Sequence, residues 1–369
     1  MTRNFSKQEN VCGRQIAFFC AFLLPASKFL EAPSLLAKYA KGDLLLPALF
    51  HFILQAGLLF ALLYAISKSE KTLHERLQES LGKWIVPLYI LYGVYFLLAA
   101  ILPLLDLEKF IYAAFSDTEP TVFSFAFFFL LSAFICSKHI RSIGRSADLC
   151  LFLFLFPFLA LIAMGLSETD FSGLLPLFGT KFGDTMSAFS YTTPHFSDVV
   201  FLLPLFLHYK HKKGDTAKIM AGYGVGSFFS LLLFAVFFGI FSSIAPREHY
   251  AFSKIAQYFP ALQVIGRIDL IFVYLLSVVL LFYTCLPLQY VTELSLKLFP
   301  NCKRTEFSLA LNLIAFLFVL FCNKYYNFFY SLISGKLPFI FWLIADLLPL
   351  FLLLLPKISV RKEAKNEQY

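Results

Sequence analysis

Apolar residues in this chain come in long blocks, cut at fairly regular intervals by short polar segments. A helix needs about 20 mostly apolar residues to cross the hydrocarbon core of a bilayer. Runs of that kind lie near 14–38, 44–66, 84–105, 121–137, 146–166, 187–209, 219–244, 265–290, 306–323 and 337–356. The pattern predicts an all-α polytopic membrane protein of about ten transmembrane helices. The fourth run is short for a span. The sixth is interrupted at Thr192-Thr193-Pro194.

The polar connections alternate in charge. Most of the 31 Lys and Arg fall on one set of segments: Arg3 to Arg14, Lys68 to Lys83, Lys138 to Arg145, Lys210 to Lys218, Lys297 to Arg304, and Lys357 to Lys365. The other set is poor in Lys and Arg and holds Asp43, Asp106, Glu108, Asp117, Glu119, Glu168, Asp170 and Asp184. By the positive-inside rule the rich set, with both termini, is cytoplasmic. The longest external connection runs from about Ser167 to Asp184 and is rich in Gly, Ser and Pro. Five predicted spans precede it and five follow. An odd number reverses the entry face, which is the geometry of an inverted-topology repeat. The expected organisation is a cytoplasmic N-terminus (1–13), a first five-helix repeat (14–166), an external loop (167–186), a second five-helix repeat (187–356) and a basic cytoplasmic tail (357–369).

Composition supports lipid as the surrounding medium. The chain is 59% hydrophobic and 15% charged, with mean hydropathy +0.75, whereas a soluble domain carries about 25% charged residues. The net charge of +8 does not point to nucleic acid, because the basic residues sit at the ends of apolar runs. The seven cysteines, Cys12, Cys20, Cys136, Cys150, Cys285, Cys302 and Cys322, show no CxxC or metal spacing. No catalytic constellation is evident, so an enzyme is not expected, nor is a cofactor or a metal. Gly222, Gly224 and Gly226 sit inside an apolar run and read as close helix packing.

Candidate chemistry lies in two interrupted helices. The first span carries Pro25 and Pro33, with Ser27, Lys28 and Glu31 between them. Two prolines remove two backbone donors and disfavour a straight helix. Lys28 and Glu31 are three apart and can share a helix face. A charge at mid-helix costs about 2.5–3.5 kcal/mol on insertion scales, so each needs a partner or a wet cavity. Such a pair can bind a zwitterion or couple to protons; a structural ion pair is the plainer alternative. The sixth span carries Thr192, Thr193, Pro194, His195 and Asp198. Asp198 suits a ligand site, a proton relay or a helix N-terminus. Tyr89, Tyr92 and Tyr95 run along one face of the third span, where pocket lining and plain packing are equally good readings. Arg267 and Asp269 lie near an external rim, and Tyr274 and Tyr283 offer hydroxyls to a cavity. Asp346 is a lone carboxylate in the last span and must be protonated, paired or hydrated.

Several stretches together resemble the GerAB-type spore germination family of the amino acid–polyamine–organocation superfamily. They are Glu108-Lys109-Phe110-Ile111, Asp117-Thr118-Glu119-Pro120, Ile140 to Ala147, Leu174 to Gly179, Phe196-Ser197-Asp198, Ile265 to Phe272, and Leu347-Leu348-Pro349-Leu350 with its basic tail. The first helix departs from the family pattern, with Pro25-Ala26-Ser27-Lys28 where the family often has glycine. The resemblance implies a LeuT-like fold with broken first and sixth helices, set in the spore inner membrane. It implies a germinant-receptor subunit that senses a small amino-acid-like nutrient and works with A-type and C-type partner subunits. Its ligand is expected among Ser27, Lys28, Glu31, Tyr92, Thr192, Thr193, His195 and Asp198. The alternatives are a proton-coupled secondary transporter of amino acids or related molecules, and a ligand-independent assembly subunit.

Overall fold

The computed structural model describes residues 11–68, 72–97, 104–105, 121–138, 140–175, 178–259, 269–299 and 302–325, together with 328, 331, 339, 343–347 and 350. Among them there is no β-strand, only an isolated bridge between Val11 and Tyr209. Among the described residues four helices are long and apolar enough to cross a bilayer, and a bent pair, taken as one span, adds a fifth. Shorter apolar helices cover Ile85–Leu97, Ala126–Cys136 and Leu155–Glu168. The Glu108–Pro120 segment, Arg267, and most of the 337–356 run and basic tail lie outside the described residues, as does the side chain of Asp269.

The bent pair comprises α1, Gly13–Lys28, and α2, Ala32–Ala40. Their segments cross at 61°. Within α1, Phe19–Leu23 form a π-helical turn that widens the helix just ahead of Pro25. Pro33 stands in the first turn of α2, where its missing N–H has no intrahelical acceptor to serve. The break therefore falls between the prolines, at Phe29–Glu31. A broken helix exposes carbonyls that need donors. Those of Phe29 and Leu30 accept from the N–H groups of Phe252 and Ala251, at the start of the short helix Ala251–Tyr258.

The second break lies elsewhere than expected. Helix α8, Phe182–Phe196, contains Thr192, Thr193 and Pro194, and the chain breaks only at Ser197 (φ −76°, ψ 61°) before α9, Asp198–Phe206. The threonines stay helical because their hydroxyls bond back to the carbonyls of Ala188 and Phe189. Pro194 strains the turn it closes, and the helix yields three residues later. The sixth run also begins earlier than expected, at Phe182.

The remaining helices are α3, Leu45–Ser67; α4, Leu73–Leu81; α5, Ile85–Leu97; α6, Thr121–Cys136; α7, Ile140–Glu168; α10, Asp215–Phe241; α11, Ala251–Tyr258; α12, Asp269–Leu298; and α13, Arg304–Lys324. The short helices α4 and α11 fall in connections read as loops. Helix α12 runs eight residues beyond the expected end of its span.

α1 packs on α10, α2 on α8, α10 on α3, and α6 on α13. The α1–α10 contact depends on glycine. A Cβ at Gly222 would fall on the carbonyl of Ala17, and one at Gly226 on that of Cys20, while at Gly224 nothing is near. Outward faces are apolar: Phe50, Ile53, Phe60 and Tyr64 on α3, and Leu309, Leu313, Leu317 and Phe321 on α13, are exposed. Spacings of three, seven and four residues on α3 and of four throughout on α13 place each set on one helix face, suited to lipid.

Two separate sets of contacts tie the connecting segments together. In one, Val11 N–H donates to His208 O, Glu293 bridges His208 and Arg304 at 2.8 Å each, and Gln289 donates to Lys138 O. All lie in or beside the Lys/Arg-rich segments. In the other, Asp43 accepts from the N–H groups of Phe178 and Thr180 and from the Thr180 hydroxyl, and Asp170 N–H donates to Gly239 O.

Candidate functional site

The two breaks meet around one ion pair. Lys28 is the last residue of α1 and Asp198 the first of α9. Lys28 Nζ lies 2.6 Å from Asp198 Oδ1, with both side chains almost fully buried. Nζ also donates to Leu24 O at 3.2 Å, and the ammonium stands over the Phe196 ring at 5.5 Å, a cation–π arrangement. The other carboxylate oxygen, Oδ2, accepts from the Tyr223 hydroxyl at 2.9 Å. Asp198 occupies the first turn of α9, where the helix dipole favours an anion. The charges are thus satisfied by each other, by the Leu24 carbonyl, and by a tyrosine of α10.

An aromatic wall closes one side. His51 of α3 stacks between Phe189 and Phe196, at 3.9 and 4.5 Å between centroids. Its Nε2 is 3.0 Å from Phe189 O and 3.2 Å from Thr192 Oγ1. A carbonyl can only accept, so Nε2 carries the proton. One turn further along α3, Gln55 accepts the Val199 N–H at 3.1 Å and donates to Asp346 Oδ2 at 2.6 Å.

The expected site residues separate into groups. Ser27, Lys28, Thr192 and Asp198 are buried close to the crossing, with the Ser27 hydroxyl bonded to Leu24 O. Glu31 does not share a face with Lys28, because the break intervenes. It pairs instead with His249 Nδ1 at 2.9 Å, on the connection after α10. His195 lies in the last turn of α8, and its buried Nε2 has no hydrogen-bond partner among the described residues. Thr193 is buried and bonds only within its own helix. Tyr92 is buried, and its hydroxyl has no hydrogen-bond partner among the described residues. It lines a cavity of about 20 Å³ with Tyr89, Leu203, Leu207 and Tyr290. Tyr274 is exposed, whereas Tyr283 is buried and stacks on Phe201 at 4.0 Å.

Tyr223, His51, Gln55 and His249 were not singled out from the sequence. Two of them had a signal: His51 and Gln55 are polar residues inside an otherwise apolar run, and such residues face a protein interior. Tyr223 and His249 had none, since neither residue type is unusual where it stands.

Comparison with known proteins bears on this arrangement. No curated protein matches the chain. A solved structure described as MhsT in complex with L-phenylalanine is similar in fold, with a TM-score of 0.62, 15% sequence identity, and coverage of 95% of this chain and 86% of that one. The fold is therefore LeuT-like. A family model described as spore germination protein matches residues 12–327. The chain belongs to the spore germination protein family.

Proposed function

We propose that this chain is the membrane subunit of a spore germinant receptor, sensing a small amino-acid-like nutrient where its two broken helices meet. The observation that carries the reading is the buried Lys28–Asp198 pair between the breaks. A buried ion pair is a weak source of stability, because desolvation offsets much of the attraction. It is a good switch, since a zwitterion can replace it with two pairs: its carboxylate on Lys28 and its amine on Asp198. Ser27, Thr192, Thr193, His195, Glu31 and Tyr92 complete the proposed ligand-binding set. Binding would favour one arrangement of the breaks by differential affinity and so bias A-type and C-type partner subunits. In this reading the chain is a 5+5 inverted repeat with the residue bounds given above. It resides in the spore inner membrane with both termini cytoplasmic, and it catalyses no reaction.

The test is a nutrient screen on spores carrying the chain with Asp198→Asn. Loss of the response to one amino-acid class, at unchanged protein level, supports the reading. Unchanged responses to every nutrient refute it. A second reading, a proton-coupled transporter of the same ligands, is favoured by the fold alone. Concentrative uptake into liposomes under a pH gradient would establish it in place of a pure sensor.

A further inference from the structure

Asp346 lies on the last described helical segment, at 1% exposure, in a chain whose interior faces lipid-spanning helices. One carboxylate oxygen, Oδ2, takes the Gln55 side-chain N–H at 2.6 Å. The other, Oδ1, is buried with no hydrogen-bond partner among the described residues. The orientation of the Gln55 amide is fixed from the far side: its Oε1 accepts the Val199 N–H, and a backbone N–H can only donate. Gln55 therefore presents donors to Asp346. A metal cation needs a shell of oxygen acceptors, whereas the side chain bonded to Asp346 among the described residues presents a donor. A proton needs one acceptor oxygen with no donor already on it, and Oδ1 is that oxygen.

We infer that Asp346 is an exchangeable-proton site inside the membrane, and that Gln55 transmits its occupancy to the first turn of α9. The charged acid pulls on Gln55 with a charge-assisted bond, which holds Gln55 Oε1 against Val199 N–H beside Asp198. The neutral acid pulls less and leaves that turn free to move. The titratable groups facing Asp346 are Asp198 on α9, whose charge Lys28 balances, and Tyr92 and Tyr95 on α5. His51 lies one turn from Gln55 and is held by Phe189 O, and His195 stands on α8. The Tyr92 hydroxyl, without a hydrogen-bond partner among the described residues, lies at a cavity that shares Tyr89, Leu207 and Tyr290 with a second pocket reaching His208 and Glu293. The site stands independently of any nutrient.

Two measurements on the full chain in liposomes test it. Dicyclohexylcarbodiimide, a lipid-soluble reagent, adds to protonated carboxylic acids and can be mapped by peptide mass spectrometry. Modification of Asp346 should fall at least tenfold from mildly acidic to alkaline pH, while Asp198, ion-paired in the same sample, stays unmodified. An infrared difference spectrum between the same two pH values should contain a carboxylic-acid carbonyl band that Asp346→Asn removes. A spectrum unchanged by Asp346→Asn overturns the proposal, and so does labelling of Asp346 that is equal at both pH values. Coupling is read from amide exchange in the α9 peptide. Protection of Val199 should depend on pH in the parent and not in Asp346→Asn; equal dependence in both overturns the coupling through Gln55.

Discussion

Lys28 Nζ and Asp198 Oδ1 lie 2.6 Å apart although 170 residues separate them in sequence. Each sits at a helix break, and each is almost fully buried. The pair ties the first broken helix to the second. Removing either partner leaves the other as an uncompensated buried charge, which costs about 3–5 kcal/mol. Lys28→Met alone and Asp198→Asn alone should each lower the thermal unfolding midpoint in detergent markedly. The double variant should recover part of the loss. Additive effects would mean that the two side chains do not depend on each other.

The contact of α1 with α10 should fail by steric overlap at specific positions. Gly222→Val and Gly226→Val drive a side chain into the carbonyls of Ala17 and Cys20, overpacking that costs about 1–3 kcal/mol or more. Gly224→Ala meets open space and should be neutral within about 0.5 kcal/mol. Yield of monodisperse protein on size exclusion should separate the two cases. Equal yields for all three would contradict the packing.

Glu31 and His249 should guard the first break from the Asp43 end. His249 is more than half exposed while Glu31 is buried, so His249→Ala should change stability by under about 1 kcal/mol. It should nevertheless open a path to α2. With the exposed Cys12 and Cys302 replaced, a cysteine at Ser34, which is buried, should react several-fold faster with a water-soluble maleimide in the His249→Ala background. An unchanged rate would remove His249 from any gating role.

The connection before α8 should loosen in acid. The N–H and hydroxyl of Ser172 both donate to the Asp170 carboxylate and hold its pKa below the usual carboxylate range. A lowered folded pKa means that the contribution is fully present above the ordinary aspartate value and disappears as pH falls through the lowered one. Amide protection at Ser172 should drop at strongly acidic pH and be intact at neutral pH. Asp170→Asn should abolish that acid dependence. Protection that rises on acidification would reverse the assignment.

Much of the architecture was legible in one dimension. A bilayer demands about 20 apolar residues per span, so hydropathy located the long apolar helices found among the described residues. Lys28 and Asp198 stood out because a charge within an apolar run requires an interior niche. Proline placed the first break to within a turn. It misplaced the second, because Thr192 and Thr193 can satisfy their hydroxyls within the helix and carry it past Pro194 to Ser197.

Partnership was decided in three dimensions. Helical spacing offered Glu31 to Lys28, but a 61° bend turned them to different neighbours, Asp198 and His249. The Asp346–Gln55–Val199 relay joins three elements distant in the chain, and no local pattern encodes it. Apolar periodicity reports which medium a segment meets, because that depends on the segment's own residues. Which buried charge meets which donor depends on how helices cross, and only packing among all of them sets those angles.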